Sequence, residues 1–132
     1  MSFVVDTDIC SAFVRGDRLV SARFLQYTGS LSVSAITMGE LLVWALRAKA
    51  PPQRLSDVFH LLQHASLLEV TLDVARVYGD VQAHLMDTGM RAPQMDMMIA
   101  ATALLHGFTL VTHNSRHYAN VPGLAMTDWL IP

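Results

Sequence analysis

The sequence is poor in cysteine, in charge and in long apolar runs, and each shortage excludes a class of protein. A single cysteine, Cys10, excludes a disulfide framework and a cysteine-based zinc site. Charged residues make up 15% of the 132 residues and hydrophobic residues 52%, a composition that excludes a disordered chain. The apolar run from Met97 to Leu105 is interrupted by Thr102. It is too short to span a bilayer, which takes about 20 residues.

Basic residues and phosphate-binding loops are also scarce. The first arginine is Arg15, so the N-terminus lacks the basic segment of a signal peptide, and we expect a soluble cytoplasmic protein without a membrane contact. The net charge of −2 gives no overall basic surface for nucleic acid. No Gly-x-Gly-x-x-Gly or Gly-x-x-x-x-Gly-Lys loop is present, which argues against a nucleotide-binding domain or an unrelated α/β phosphatase. No Gly-x-Ser-x-Gly elbow is present either, and Cys10 falls in an apolar helix, so a serine or cysteine hydrolase is disfavoured.

Short apolar strands alternate along the chain with segments of helical periodicity. We predict strands at 3–5, 31–34, 67–70, 109–112 and 124–126. Helices are predicted at 9–14, 17–27, 37–49, 52–65, 73–86 and 97–106, with Trp44 on the inner face of its helix. This alternation predicts one α/β domain over residues 1–132, built on a mostly parallel sheet of four or five strands.

Acidic residues follow the predicted strands. The first strand ends on Asp6-Thr7-Asp8, and ligands of parallel sheets bind beyond the carboxyl ends of the strands. We expect Glu40 and Asp96 in first helical turns at the same edge, near the segment 114–117. Carboxylates gathered there repel one another unless a divalent cation lies between them. Oxygen ligands with few or no histidine or cysteine partners favour Mg²⁺ or Mn²⁺ over zinc.

Each acid also has a structural interpretation. Thr37 and Glu40 fit the S/T-x-x-E capping box. Asp96 fits a partner for a helix dipole, and Asp8 is a more natural helix cap than Asp6. His60 and His64 have a metal-binding spacing but no third ligand. The metal hypothesis therefore depends on the acids occurring together.

Four ordered motifs, spread over essentially the whole chain, resemble those of the PIN domain and, in length and order, those of the VapC toxins of bacterial toxin–antitoxin pairs. They are Val-Val-Asp-Thr-Asp at 4–8, Ser-Ala-Ile-Thr-Met-Gly-Glu at 34–40, Asp-Met-Met-Ile-Ala-Ala-Thr-Ala at 96–103 and Leu-Val-Thr-His-Asn-Ser-Arg-His-Tyr at 110–118. The resemblance implies a three-layer α/β/α sandwich and a Mg²⁺- or Mn²⁺-dependent endoribonuclease that leaves a 5′-phosphate and a 3′-hydroxyl. Asp6, Glu40 and Asp96 match the acidic triad of the family.

The resemblance also implies supporting residues. Thr112 and Asn114 match polar residues beside the metal, and we expect Thr7, Asp8 and Thr37 to support or position the site. One departure is His117, where many members carry a fourth acid. This histidine either weakens a second metal position, binds phosphate or shuttles a proton, or is simply solvated. Arg91 and Arg116 are candidates for phosphate contacts, or are ordinary surface charges.

The implied partners are RNA, a VapB-type antitoxin and a second copy of the chain in a homodimer. Val14, Leu19, Val20 and Phe24 on the early helices either line a groove for the antitoxin or belong to the core. The main alternative function is a catalytically silent PIN module that binds a partner protein or RNA. The His117 departure favours that alternative, and the intact triad argues against it.

Overall fold

The fold is built around a sheet of five short parallel strands. The computed structural model describes the whole chain, from Met1 to Pro132. The strands are β1 (Phe3–Val5), β2 (Leu31–Ser34), β3 (Ser66–Leu68), β4 (Thr109–Val111) and β5 (Met126–Thr127). Their order across the sheet is β3-β2-β1-β4-β5. All four pairings are parallel, and β1 at the centre aligns Phe3 with Leu31 on β2 and with Thr109 on β4.

Seven helices connect and cover the strands. They are α1 (Thr7–Val14), α2 (Arg18–Gln26), α3 (Ala35–Leu46), α4 (Gln53–His60), α5 (Leu72–Asp87), α6 (Gln94–His106) and α7 (Ser115–Tyr118). A single 3₁₀ turn, Leu61–Gln63, follows α4. None of the helices is both long enough and apolar enough to cross a membrane.

The core consists of two clusters, one on each side of the sheet. Because side chains alternate along a strand, Phe3 and Val5 of β1 join the cluster with α1, α2, α3 and α4, while Val4 joins the cluster with α5 and α6. These two helical layers enclose the sheet and confirm the predicted three-layer α/β/α architecture. Parallel strands place every carboxyl end at one edge, where Asp6 follows β1 and Thr112 follows β4.

Four helices begin earlier than the sequence predicted. Ser34 caps α3 by accepting a hydrogen bond from the backbone N–H of Ile36 at 3.1 Å. Thr37 is therefore inside the helix, the capping-box interpretation is wrong, and Glu40 lies in the second turn instead of the first. Asp6 is the cap of α1, a role that the sequence assigned to Asp8. In the same way Thr71 caps α5 in place of Asp73, and α6 begins at Gln94 directly after Pro93.

Candidate active site

The carboxylate of Asp6 is buried at the carboxyl end of β1, with a donor on each oxygen. Asp6 as a whole is 4% exposed. Oδ1 accepts from the backbone N–H of Thr7 at 2.8 Å. Oδ2 accepts from the Thr112 hydroxyl at 2.8 Å and from the Tyr118 hydroxyl at 2.9 Å. These contacts fix the carboxylate and join β1, β4 and α7 at one point.

Burial and a like charge raise the pKa of Asp6 to about 6. Desolvation is the largest cause, the negative charge of Asp8 is the second, and the three hydrogen bonds lower the pKa again. Burial and the nearby carboxylates of Asp6, Asp96 and Asp8 also raise the pKa of Tyr118, which keeps its hydroxyl a neutral donor. Negative charge at this position is therefore costly in the chain alone, and a cation close by would stabilise it.

Glu40 reaches the same edge through Thr7. The Thr7 hydroxyl, in the first turn of α1, donates to Glu40 Oε1 at 2.5 Å and lies 3.2 Å from the hydroxyl oxygen of Thr37. Thr7 is the residue next to Asp6, so this contact places Glu40 beside the buried carboxylate even though it lies in the second turn of α3. Thr7 and Thr37 both lie beside Glu40, and their supporting role in the site stays a prediction.

Asp96 lies in the first turn of α6, as predicted, and contacts His117. Asp96 Oδ2 is 2.8 Å from Nδ1 of His117 on α7. Tyr118, the next residue of α7, donates to Asp6, and the charge of Asp96 contributes to its raised pKa. The short helix α7 therefore links two members of the predicted triad, and His117 has a defined partner instead of being only solvated.

Asp8 holds the loop after β4. Its Oδ2 accepts from the backbone N–H of His113 at 3.0 Å, and its Oδ1 accepts from Ile9 N–H at 2.8 Å. Nδ1 of His113 is in turn 2.8 Å from Asp128 Oδ2. Burial raises the pKa of Asp8. Asp8 thus fixes the chain after β4, and its charge raises the pKa of Asp6.

The remaining predicted residues are at the surface around this cluster. The backbone N–H of Asn114 donates to the Thr112 hydroxyl at 3.1 Å, and Asn114 caps α7. Arg91 and Arg116 are exposed and take part in none of the three ion pairs of the chain. Their contact with phosphate stays a prediction.

Sequence analysis missed Tyr118, His113 and Asp128 as members of this network. Tyr118 is the last residue of the fourth motif, was given no role of its own there, and is buried. The signal that could have found it was its position shortly after the polar end of β4. The contact between His113 and Asp128 depends on the path of the chain after β5, which no local pattern indicates.

The donor chemistry of the site fits Mg²⁺ or Mn²⁺, because the predicted ligands are all carboxylate oxygens. No three histidine, cysteine, aspartate or glutamate side chains converge into a complete metal-binding group in this arrangement. Glu40 and Asp96 each bond through one carboxylate oxygen, to Thr7 and His117. In this arrangement one oxygen of each of these two carboxylates therefore already has a protein partner.

Two further expectations concern residues away from the triad. Val20 and Phe24 are buried in the core cluster, so they do not line a surface groove, whereas Leu19 is 43% exposed. The rings of His60 and His64 meet edge to face with centroids 5.4 Å apart. Of the two alternatives for the early helices, an antitoxin groove or the core, Val20 and Phe24 therefore belong to the core.

Comparison with known proteins agrees with the motifs. The PIN domain family model matches residues 3–124. The tRNA(fMet)-specific endonuclease VapC of Shigella flexneri is 28% identical over 130 residues, which is 98% of each chain. Ribonuclease VapC4 of Mycobacterium tuberculosis is 31% identical over 112 residues, 83% of each chain. The crystal structure of DNA-bound VapBC from Salmonella typhimurium superposes with a TM-score of 0.92 at 28% identity and 98% coverage of both chains.

The family match covers nearly the whole chain, and the relatives match it over most or all of its length. The resemblance inferred from the four motifs is confirmed. The chain belongs to the PIN domain family and is a VapC-type member of it.

Proposed function

We propose that the chain is an endoribonuclease toxin of a toxin–antitoxin pair that hydrolyses RNA phosphodiester bonds with a divalent cation. The proposed ligands are Asp6, Glu40 and Asp96, and the proposed cation is Mg²⁺ or Mn²⁺. Family membership supports the reaction class, since the VapC relatives are named ribonucleases or endonucleases.

The observation that carries the proposal is the buried Asp6 carboxylate and the two contacts leading from it. On one side Thr7 connects it to Glu40, and on the other Tyr118 and its neighbour His117 connect it to Asp96. Three acids on different elements are thus brought to one edge of the sheet, around a carboxylate whose pKa of about 6 reflects unfavourable burial of charge.

The chain's own residues supply orientation and charge. Thr112 and Tyr118 hold Asp6 Oδ2, Thr7 holds Glu40, and His117 holds Asp96. Asp6, Glu40 and Asp96 would hold the divalent cation, which would supply a more acidic water molecule and positive charge for the phosphate oxygens. Arg91 and Arg116, at the surface next to two of the motifs, are proposed to contact RNA phosphates.

We further propose a VapB-type antitoxin as partner and a homodimer as assembly, acting in the cytoplasm. The related Salmonella typhimurium structure is a VapBC complex bound to DNA. In this chain α3 and α4 with the turn after it expose the large apolar side chains Val43, Leu46, Phe59 and Leu62. Such a surface suits a protein partner better than solvent.

The test is RNA cleavage by the purified parent chain and by the Asp96→Asn variant. Asparagine keeps the shape of the side chain and removes its charge, so the variant should fold and lose cleavage. RNA 5′ ends mapped after incubation with Mg²⁺ should carry phosphate in the parent sample and be absent with the variant or with EDTA. Equal cleavage by parent and variant would refute the metal-site assignment.

A second function, a silent RNA-binding or protein-binding module, is favoured by one contact. His117 Nδ1 lies 2.8 Å from Asp96 Oδ2, so one of the two oxygens of this carboxylate already has a protein partner. The same assay separates the two functions. A silent module yields no new 5′ ends from the parent at any Mg²⁺ or Mn²⁺ concentration, although RNA or partner binding persists.

A further inference from the structure

Four of the nine basic residues of the chain gather around one tryptophan beside the candidate active site. They are Arg15, Arg47, Lys49 and Arg54, and they surround Trp44 on α3. This local concentration contrasts with the net charge of −2 for the chain. None of the four takes part in an ion pair of the structure, so their charges are available to a ligand.

Trp44 and Arg54 form a stacked pair. The guanidinium carbon of Arg54 lies 4.0 Å from the centroid of the Trp44 ring. Sequence analysis placed Trp44 in the core, but the residue is only half-buried, and it packs against the core cluster on one side. Its position one turn after Glu40 on α3 puts this pair next to a predicted metal ligand.

Three cavities border Trp44, and two of them also border Glu40. A cavity of about 490 Å³ is lined by Trp44, Glu40 and three of the basic residues, Arg47, Lys49 and Arg54. A smaller one of about 180 Å³ connects Trp44 and Glu40 with Thr7 and Arg15. Glu40 lines both cavities, so a chain lying along them would pass the candidate active site.

We propose that this surface, the Trp44 groove (Arg15, Trp44, Arg47, Lys49 and Arg54), binds one unpaired nucleotide of the RNA substrate next to the scissile bond. The inference rests on the proposed function and names its substrate subsite. The base stacks on the outer face of the Arg54 guanidinium, which lies over the Trp44 ring, because unpaired bases stack on guanidinium planes as they do on aromatic rings. The basic side chains neutralise the adjoining phosphates.

Charge complementarity selects RNA over a protein partner as the occupant. The cavities around Trp44 carry four cations against two carboxylates, those of Glu40 and Asp57. A base-stacking platform within a ring of cations is the combination that single-strand binding sites use. An antitoxin segment in this groove is the alternative occupant that the binding measurements distinguish.

The experiment measures binding to the full chain carrying Asp96→Asn, so that the RNA is not cut. The probes are a fluorescein-labelled single-stranded RNA of mixed sequence and the same RNA as a duplex. Trp44→Ala should weaken single-strand binding roughly 5- to 100-fold, the range expected for the loss of one base stack. Binding of the duplex should change less, since bases that are paired and stacked within a duplex cannot stack on the Trp44–Arg54 pair.

The charge component is tested with Arg54→Gln and its matched control Arg76→Gln. Arg76 is an exposed arginine on α5, on the other side of the sheet, where it pairs with Asp80. Arg54→Gln should lower the slope of log affinity against log salt concentration by about 0.7, the value for one phosphate contact on a single strand. Arg76→Gln should leave both affinity and slope unchanged.

Two results would overturn the subsite. They are equal single-strand affinity in Trp44→Ala and its background, and an equal effect of Arg54→Gln and Arg76→Gln; either result would favour an antitoxin segment as the occupant of the groove. If Trp44→Ala does not fold, Trp44→Phe and Lys49→Gln replace it, with a smaller loss of affinity expected in each. Failure of the parent to cleave RNA refutes the proposed function separately, because the binding comparison does not use cleavage.

Discussion

The hydroxyl of Tyr118 donates a 2.9 Å hydrogen bond to Oδ2 of Asp6, 112 positions away in the sequence. Both groups are buried, and the same oxygen accepts from Thr112. The contact joins the end of the central strand to the helix that carries His117. It therefore connects the position of Asp6 to that of Asp96.

Replacement of Tyr118 by phenylalanine should shift the pH dependence of cleavage to higher pH. The hydrogen bond from Tyr118 lowers the pKa of Asp6, so its loss raises that pKa above about 6 and more of the enzyme is protonated at neutral pH. The free energy of unfolding should fall by about 1 kcal/mol for the lost hydrogen bond. The measurement is cleavage rate against pH. The control is Tyr78→Phe. Tyr78 packs against the core cluster that contains Tyr118, and its replacement should leave the pH profile unchanged.

Asp6→Asn should change how stability depends on pH in metal-free buffer. The pKa of Asp6 is about 6 in the folded chain, against 3.8 for an unperturbed aspartate. The folded state therefore binds the proton more tightly, and its stability falls as the pH rises from about 4 through 6. Across this range the parent should lose about 3 kcal/mol relative to the variant. Urea unfolding in EDTA at pH 4 and pH 7 measures the difference, and a difference that does not vary with pH would contradict the assigned burial cost.

Thr7→Val should separate the positioning of Glu40 from its charge. Valine has nearly the shape of threonine but cannot donate to Glu40 or contact the Thr37 hydroxyl. The expected results are a loss of about 1 kcal/mol in stability and a larger loss in kcat than in RNA affinity. Steady-state cleavage kinetics measure both quantities. Thr109→Val, in β4, makes the same chemical change outside the network, and an equal effect there would show that Thr7 has no positioning role.

His117→Asp should lower the Mg²⁺ concentration that cleavage requires. The variant restores the acid that many family members carry, next to Asp96, whose Oδ2 contacts His117 at 2.8 Å. One added negative charge about 4 Å from a cation contributes about 1 kcal/mol per charge in water. The Mg²⁺ concentration for half-maximal cleavage should therefore fall about fivefold or more. Titration of cleavage with Mg²⁺ checks this, and an unchanged midpoint would place His117 away from the metal.

Much of the fold was predictable because the strands are short and apolar and the helices are periodic. The strand at Phe3–Val5 and the order of elements follow from these patterns alone. Helix starts were predicted less well, since a cap is decided by the strand geometry before it. Ser34 is extended at the end of β2 and caps α3, so Thr37, three residues on, could not. The local S/T-x-x-E pattern carries no information on where a strand ends.

The sequence predicted the acidic residues of the site but not the contacts that join them to the rest of the chain. Asp6 and Asp96 were located by their places after a strand and in a first helical turn, both of which the structure has. The contact of Tyr118 with Asp6 and the stacking of Arg54 on Trp44 join residues from separate elements. Such contacts depend on how helices pack across the sheet, which motif spacing does not describe. The basic groove was missed for the same reason, because its charges are spread along the sequence and meet only in the folded chain.

The central claim is that Asp6, Glu40 and Asp96 share one divalent cation. Calorimetric titration of Mn²⁺ into the parent and into Asp6→Asn, Glu40→Gln and Asp96→Asn, each shown to be folded, tests it most directly. Binding to the parent and loss of affinity in all three variants is the predicted result. Affinity equal to that of the parent in any one of the variants would contradict a site shared by all three acids.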